Sequence, residues 1–175
     1  ILSTAMANID EIDSAIELIY SCGNKNIVLM QCTGIYPTQH ENVNLNVISY
    51  FKNRYKIPIG FSDHTIGYEA PMNAVTLGAE LIEKHFTLNR ADGGVDSTFS
   101  MEPEEMKSLV VEAERAWQSL GKVTYGPMEA EKSSSVFRRS LYIAEDMKAG
   151  VRELRRMAES SEQGSHDTGT FVYHY

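Results

Sequence analysis

Cysteine is scarce in this chain. Two cysteines in 175 residues, Cys22 and Cys32, leave no room for a disulfide framework, and they are not spaced as a CxxC pair. A reducing cytoplasm fits that usage. No apolar run approaches the roughly 18 residues that a membrane span requires, and no basic-then-apolar stretch opens the chain, so neither a span nor a secretory leader is expected. Positive charge is also short: 16 Lys and Arg stand against 24 Asp and Glu, for a net charge of -8. Nucleic acid and anionic membrane surfaces are therefore not expected partners, although local donors can still bind an anionic substrate inside an acidic protein. The glycine pair Gly93-Gly94 has no GxGxxG or P-loop context, which argues against a nucleotide fold. No heptad or solenoid period is present.

What remains is an ordinary soluble composition, 42% apolar and 23% charged. Short apolar runs alternate with helical periodicity. Ile1-Leu2 opens the chain on an apolar segment without a lead-in, which reads as a chain cut at a strand. Asn8 is a good N-cap with Glu11 three residues on, and Ile9, Ile12, Ile16 and Ile19 repeat at helical spacing up to Gly23. Ile27 to Met30 reads as a buried strand, and a helix is expected over residues 45–55. Ile57 to Phe61 is a third strand pattern, tolerating Pro58 near its start. A short helix is expected over residues 70–77, then a strand at Leu81-Ile82. The last helix follows a loop from Ala91 to Ser100. Ser100 is expected to cap it, acidic residues fill its first turn, and Met106, Leu109, Val110, Ala113, Trp117 and Leu120 form its apolar stripe.

Four strand–helix units imply parallel pairing through right-handed crossovers. They make an α/β fold, either half of an eightfold barrel or a small open sheet. Polar residues cluster where the strands end, at Ser3-Thr4, Gln31 to Thr33, Ser62 to His64 and Glu83 to His85, which is where both architectures build their sites. After Gly121 the character changes. Residues 122–150 read as a linker and the start of another domain, with Leu141 to Ile143 as its first strand, and residues 151–175 show no periodicity and read as disordered.

His64 and His85 stand 21 residues apart at the ends of neighbouring expected strands. Adjacent strands lie about 4.8 Å apart, so two imidazoles at equal height can approach to about 5 Å and share one metal ion. Two histidines leave the other coordination positions open to substrate oxygens, which suits a Lewis acid acting on a carbonyl. The competing reading is that each histidine only hydrogen-bonds at the mouth of the sheet. Asp63 and Glu83 flank them and can orient a histidine, bind a sugar hydroxyl or do acid–base work. A plain salt bridge to Lys84 is the alternative. Ser3, Thr4 and Ser62 are possible donors to a phosphate or carboxylate. Gly93-Gly94 before Asp96 forms either a substrate loop or a simple turn.

Read together and in order, Ile1–Met6 (ILSTAM), Gln31–Thr38 (QCTGIYPT), Glu41–Asn46 (ENVNLN), Gly60–Gly67 (GFSDHTIG), Leu77–Thr87 (LGAELIEKHFT), Asp96–Pro103 (DSTFSMEP) and Arg138–Leu141 (RRSL) resemble the N-acetylneuraminate (sialic acid) synthase family. That family includes the legionaminate and pseudaminate synthases. The likeness spans about residues 1–150. It implies that residues 1–121 are the C-terminal half of a TIM (β/α)8 barrel, followed by a linker and an aberrant or truncated antifreeze-like domain. It implies an enzyme that condenses phosphoenolpyruvate with an N-acylated hexosamine such as N-acetylmannosamine and releases phosphate, working as a domain-swapped homodimer in the cytoplasm.

By the same likeness, His64 and His85 correspond to the ligands of a divalent metal (Mn2+, Mg2+ or Co2+), Ser3 and Ser62 to phosphoenolpyruvate-binding positions, and Tyr36, Glu83 and Asp96 to positions around the sugar, with Glu83 assigned to catalysis. Gly34 departs from members that carry asparagine there. The phosphoenolpyruvate-binding lysines and the catalytic carboxylate of the family's first four strands have no counterpart. Residues 151–175 do not resemble the family's end either, which is the expectation for a frameshift near residue 150 or a mispredicted gene end. The isolated chain is then expected to be inactive. The alternatives are another phosphoenolpyruvate-dependent aldolase-type barrel and a non-catalytic pseudogene product.

Overall fold

In a computed structural model of the chain, which describes residues 1–138, local sequence signals set the elements before packing orders them. Helix α1 (Ile9–Ser21) starts at the expected capping box. The Asn8 side chain accepts from the Glu11 backbone N–H at 3.0 Å, and the Glu11 carboxylate accepts from the Asn8 N–H at 2.8 Å. Two of the helix's orphan donors are satisfied in this way. Helices α2 (Asn46–Tyr55), α3 (Glu69–Thr76) and α4 (Pro103–Ser119) follow. The strands are β1 (Leu2–Ser3), β2 (Leu29–Cys32), β3 (Ile59–Asp63) and β4 (Leu81–Lys84).

β2 and β3 both begin two residues later than the apolar runs imply. Pro58 has no N–H to give the ladder, so β3 starts at Ile59, and β2 starts at its register partner Leu29. α4 corrects a second expectation. Ser100 does not cap it; its hydroxyl turns back to the Asp96 carbonyl at 2.7 Å. Glu102 is the N-cap and Pro103 takes the first helical position, where the missing N–H costs nothing. The expected α4 stripe is buried only at Leu109, while Val110, Trp117 and Leu120 are exposed among the described residues.

The strands form one parallel sheet in the order β1-β2-β3-β4. A strictly sequential order with right-handed crossovers sends every connecting helix to the same face. Leu29, Ile59 and Phe61 face that way and are buried with Ile12 and Ile16 of α1, Ile48 and Phe51 of α2, and Ala70 and Ala74 of α3. Side chains alternate along each strand. The opposite face therefore carries one row of Ser3, Met30, Gly60 and Leu81, and a second row of Cys32, Ser62 and Glu83.

Residues Ile1–Val123 make one compact unit, and a second begins at Thr124. Its described part is a 3-10 stretch, Glu129–Phe137, lying where a linker is expected. The expected strand at Leu141 to Ile143 and the tail 151–175 lie outside the described residues. Both cysteines are free thiols, Cys22 exposed and Cys32 buried. Among the described residues no helix is long and apolar enough to cross a membrane.

Candidate functional site

The chemistry-bearing residues gather at the C-terminal ends of β3 and β4. The register pairs Ser62 with Glu83 and Asp63 with Lys84, so the next step places His64 beside His85. Their ring centroids are 5.1 Å apart with planes at 78°. Side-chain alternation then sorts the neighbours. Ser62 and Glu83 share the histidines' face, and the Ser62 hydroxyl donates to Glu83 Oε1 at 2.7 Å. Asp63 and Lys84 point the other way.

The question left open at Asp63 is settled by that turn. Lys84 Nζ lies 2.6 Å from Asp63 Oδ2, and both side chains are buried, at 2% and 0% exposure. Lys84 also donates to the Thr65 carbonyl at 2.6 Å, and Asp63 Oδ1 accepts from the Thr65 N–H at 2.8 Å. Asp63 is thus an ion-pair residue beneath the site and does not line it.

His64 is held on two sides. Its Nδ1–H donates to the Thr33 carbonyl at 2.9 Å, and its own carbonyl accepts from the Thr38 N–H at 2.9 Å. With Nδ1 committed as a donor, the nitrogen left to bind a ligand is Nε2. His85 has a looser partner: its Nδ1 is 3.7 Å from Asp96 Oδ2, longer than a hydrogen bond.

Aromatic rings complete the enclosure. Tyr36 lies 4.1 Å from His64 and 5.8 Å from His85, centroid to centroid. Phe99 lies 5.0 Å from His85. Phe99 is a member that residue-type reasoning passes over, because a phenylalanine in a loop carries no chemical signature. The Thr33 carbonyl is another, because it is backbone. Four of the expected site residues, Tyr36, His64, His85 and Asp96, therefore meet at one place, with the Ser62–Glu83 pair one row below.

Ser3 stands apart. It is exposed on β1, opposite Met30, and two strand spacings, roughly 10 Å, separate its strand from that of Ser62. At the ends of β1 and β2 a cavity of about 460 Å³ is lined by Thr4, Met6, Gln31, Thr33 and Gly34 among others. Gly34 has no backbone reason to be glycine: a Cβ there would meet only the Met6 side chain, at 3.6–3.7 Å, which is ordinary contact.

Among the described residues no group of three His, Cys, Asp or Glu side chains is placed to hold a metal. The donor set is a pair of imidazoles, one with its tautomer set by the Thr33 carbonyl. That set fits a divalent cation that keeps most of its coordination sphere for water and substrate oxygens.

The NeuB family model matches residues 1–125. An uncharacterized protein of Methanocaldococcus jannaschii, MJ1065, is 42% identical over 151 residues, covering 86% of this chain and 45% of its own length. The N,N'-diacetyllegionaminic acid synthase of Campylobacter jejuni is 38% identical over 153 residues, covering 86% of this chain and 46% of its own. Among solved structures, the N-acetylneuraminic acid (sialic acid) synthetase of Leptospira borgpetersenii, crystallised with citrate, superposes with a TM-score of 0.71 at 38% identity. That match covers 80% of this chain and 49% of the other. The chain thus spans about half the length of the relatives it matches.

Proposed function

The chain belongs to the NeuB family, and on that footing we propose that it is the site-bearing half of a (β/α)8 barrel that condenses phosphoenolpyruvate with an N-acyl hexosamine. Carbon 3 of phosphoenolpyruvate forms a bond to the aldehyde carbon of the open-chain sugar. Water adds at carbon 2, and phosphate leaves by carbon–oxygen cleavage. The product is a nonulosonic acid. The observation that carries the reading is the meeting of His64 and His85, 5.1 Å apart, at the C-terminal ends of adjacent parallel strands.

In this proposal His64 and His85 would hold a divalent cation (Mn2+, Mg2+ or Co2+). The cation supplies Lewis-acid polarisation of the sugar aldehyde. The remaining roles belong to the chain itself. Glu83 accepts from Ser62 through Oε1, which leaves Oε2 to receive a sugar hydroxyl, or to take the proton released by the water that adds at carbon 2 and pass it to the oxygen that forms from the aldehyde. Ser62 and Ser3 donate to phosphoenolpyruvate. Tyr36 and Phe99 flank the site with rings, and Asp96 faces the sugar while steadying His85. Strict strand order supports a barrel over a doubly wound sheet, whose order reverses at a switch point.

The whole protein is proposed to be a cytoplasmic homodimer in which the other half of the barrel brings the phosphoenolpyruvate-binding cations. The deciding experiment is phosphate release from phosphoenolpyruvate, with N-acetylmannosamine and related N-acyl hexosamines, by the full protein that carries this sequence. Turnover that depends on added Mn2+ and is lost in His64→Ala is expected. Turnover indifferent to that substitution would remove the proposed site.

A further inference from the structure

Resting on that metal reading, we propose that the buried Asp63–Lys84 pair is a positioning device that sets the separation of His64 and His85 and so the affinity of this end of the sheet for a divalent cation. Each partner immediately precedes one of the two histidines, and the two are register neighbours. A clamp across Asp63 and Lys84 therefore fixes the strand spacing one step before the imidazoles. The clamp also reaches past His64. Asp63 holds the Thr65 N–H at 2.8 Å and Lys84 the Thr65 carbonyl at 2.6 Å, so the backbone on both sides of His64 is tied to the residue before His85.

Stability alone is a poor reason for such a pair. Taking two charges out of water costs about as much as their attraction returns, and well-packed apolar pairs of similar volume are often as stable. What an apolar pair lacks is direction. The 2.6 Å contact, at 2% and 0% side-chain exposure, has one geometry and no solvent to relax into. The His64 ring is held by the Thr33 carbonyl at 2.9 Å, whereas the His85 ring has its described polar partner, Asp96, only at 3.7 Å; the backbone carbonyls of the two are held alike, by the Thr38 and Met101 N–H groups at 2.9 and 2.8 Å. Loosening the clamp is therefore expected to free His85 first.

Mn2+ binding, followed by electron paramagnetic resonance of the free ion, tests this on the full protein without any turnover. The variants are Asp63→Leu with Lys84→Met, a neutral pair of similar bulk; Asp63→Asn with Lys84→Gln, a neutral pair that keeps hydrogen-bonding groups and leaves no buried charge uncompensated; and Ile48→Val, a core control fully buried away from the histidines. Affinity is expected to fall about 10- to 100-fold in the Leu–Met pair, the range typical when groups that orient metal ligands are lost, and less in the Asn–Gln pair. The Ile48→Val control should bind as the parent does. If the Leu–Met pair does not fold, the Asn–Gln pair decides. Parental affinity in the folded neutral variants, or an equal loss in Ile48→Val, overturns the positioning role while leaving the metal site intact. A parent protein that binds no Mn2+ overturns the metal reading and this inference together.

Discussion

Two residues beside the site carry opposite expectations. Thr65 is 1% exposed, and its hydroxyl has no hydrogen-bond partner among the described residues. A buried hydroxyl without a partner costs its desolvation, about 1–3 kcal/mol, and a methyl of the same shape does not. Thr65→Val is expected to leave urea stability unchanged or to raise it by about 1 kcal/mol. A clear loss would mean that the hydroxyl has a partner after all. Gly60 is the reverse case. A Cβ there would sit 2.3 Å from Met30 Sδ and 2.9 Å from the Leu81 carbonyl oxygen. The methionine can move, but the backbone of the neighbouring strand cannot without parting β3 from β4. Gly60→Ala is therefore expected to cost about 1–3 kcal/mol in urea melts, the usual penalty of overpacking. Wild-type stability in that variant would show a looser inner face than the contacts describe.

Helix starts are the elements where local chemistry can be weighed. In α1 the Asn8–Glu11 box is complete, and Asn8→Ala is expected to cost about 1 kcal/mol. In α4 the corresponding work falls to Glu105. Its carboxylate accepts from the Glu102 N–H at 2.9 Å and pairs with Arg90, and both hold its pKa below the ordinary 4.5, the backbone bond first. A folded-state pKa lowered in this way contributes stability that is complete above the unfolded value and is lost as pH falls through the folded one. Acid unfolding below about pH 4.5 should thus be shallower in Glu105→Gln than in the parent, while the two curves run parallel above it. Identical slopes in that window would exclude Glu105 as a contributor.

The same two helices show why some features are legible in the sequence and others are not. The α1 cap is a contact three residues apart in the chain, and sequence spacing reads it directly. Ser100 is a good capping residue by type. Its hydroxyl is taken by Asp96 four residues back, a choice made by the loop's path, and the helix starts at Pro103 instead. At the site, the 21-residue spacing of His64 and His85 is legible because two parallel strands in register repeat it. Which of Ser62 and Asp63 faces the histidines is not legible. Alternation says that they differ, but only the register and the covering helices say which way each points. Tyr36 and Phe99 reach the histidines from separate loops, and no local pattern carries such a meeting.

At the scale of the whole molecule, the parallel sheet ends at β1 on one side and β4 on the other. Each outer strand offers a row of backbone donors and acceptors unpaired among the described residues, and open edges recruit other chains. α4 adds exposed apolar surface at Val110, Trp117 and Leu120, the face expected to pack in a closed structure. The relatives that match are about twice as long. The 175-residue chain made alone is therefore expected to self-associate and to release no phosphate from phosphoenolpyruvate. In the proposed reaction the attacking carbon is positioned by groups from the other half of the barrel, and lost positioning alone can remove about 7–11 kcal/mol of barrier lowering. Co-expression with the N-terminal half of a legionaminic acid synthase tests both statements at once. A soluble 1:1 complex by size-exclusion chromatography, with Mn2+-dependent phosphate release that His85→Ala abolishes, is the expected outcome. Turnover by the chain alone would show that these four units already hold a complete site. A soluble complex that stays silent with every N-acyl hexosamine tried would keep the half-barrel architecture and remove the proposed reaction.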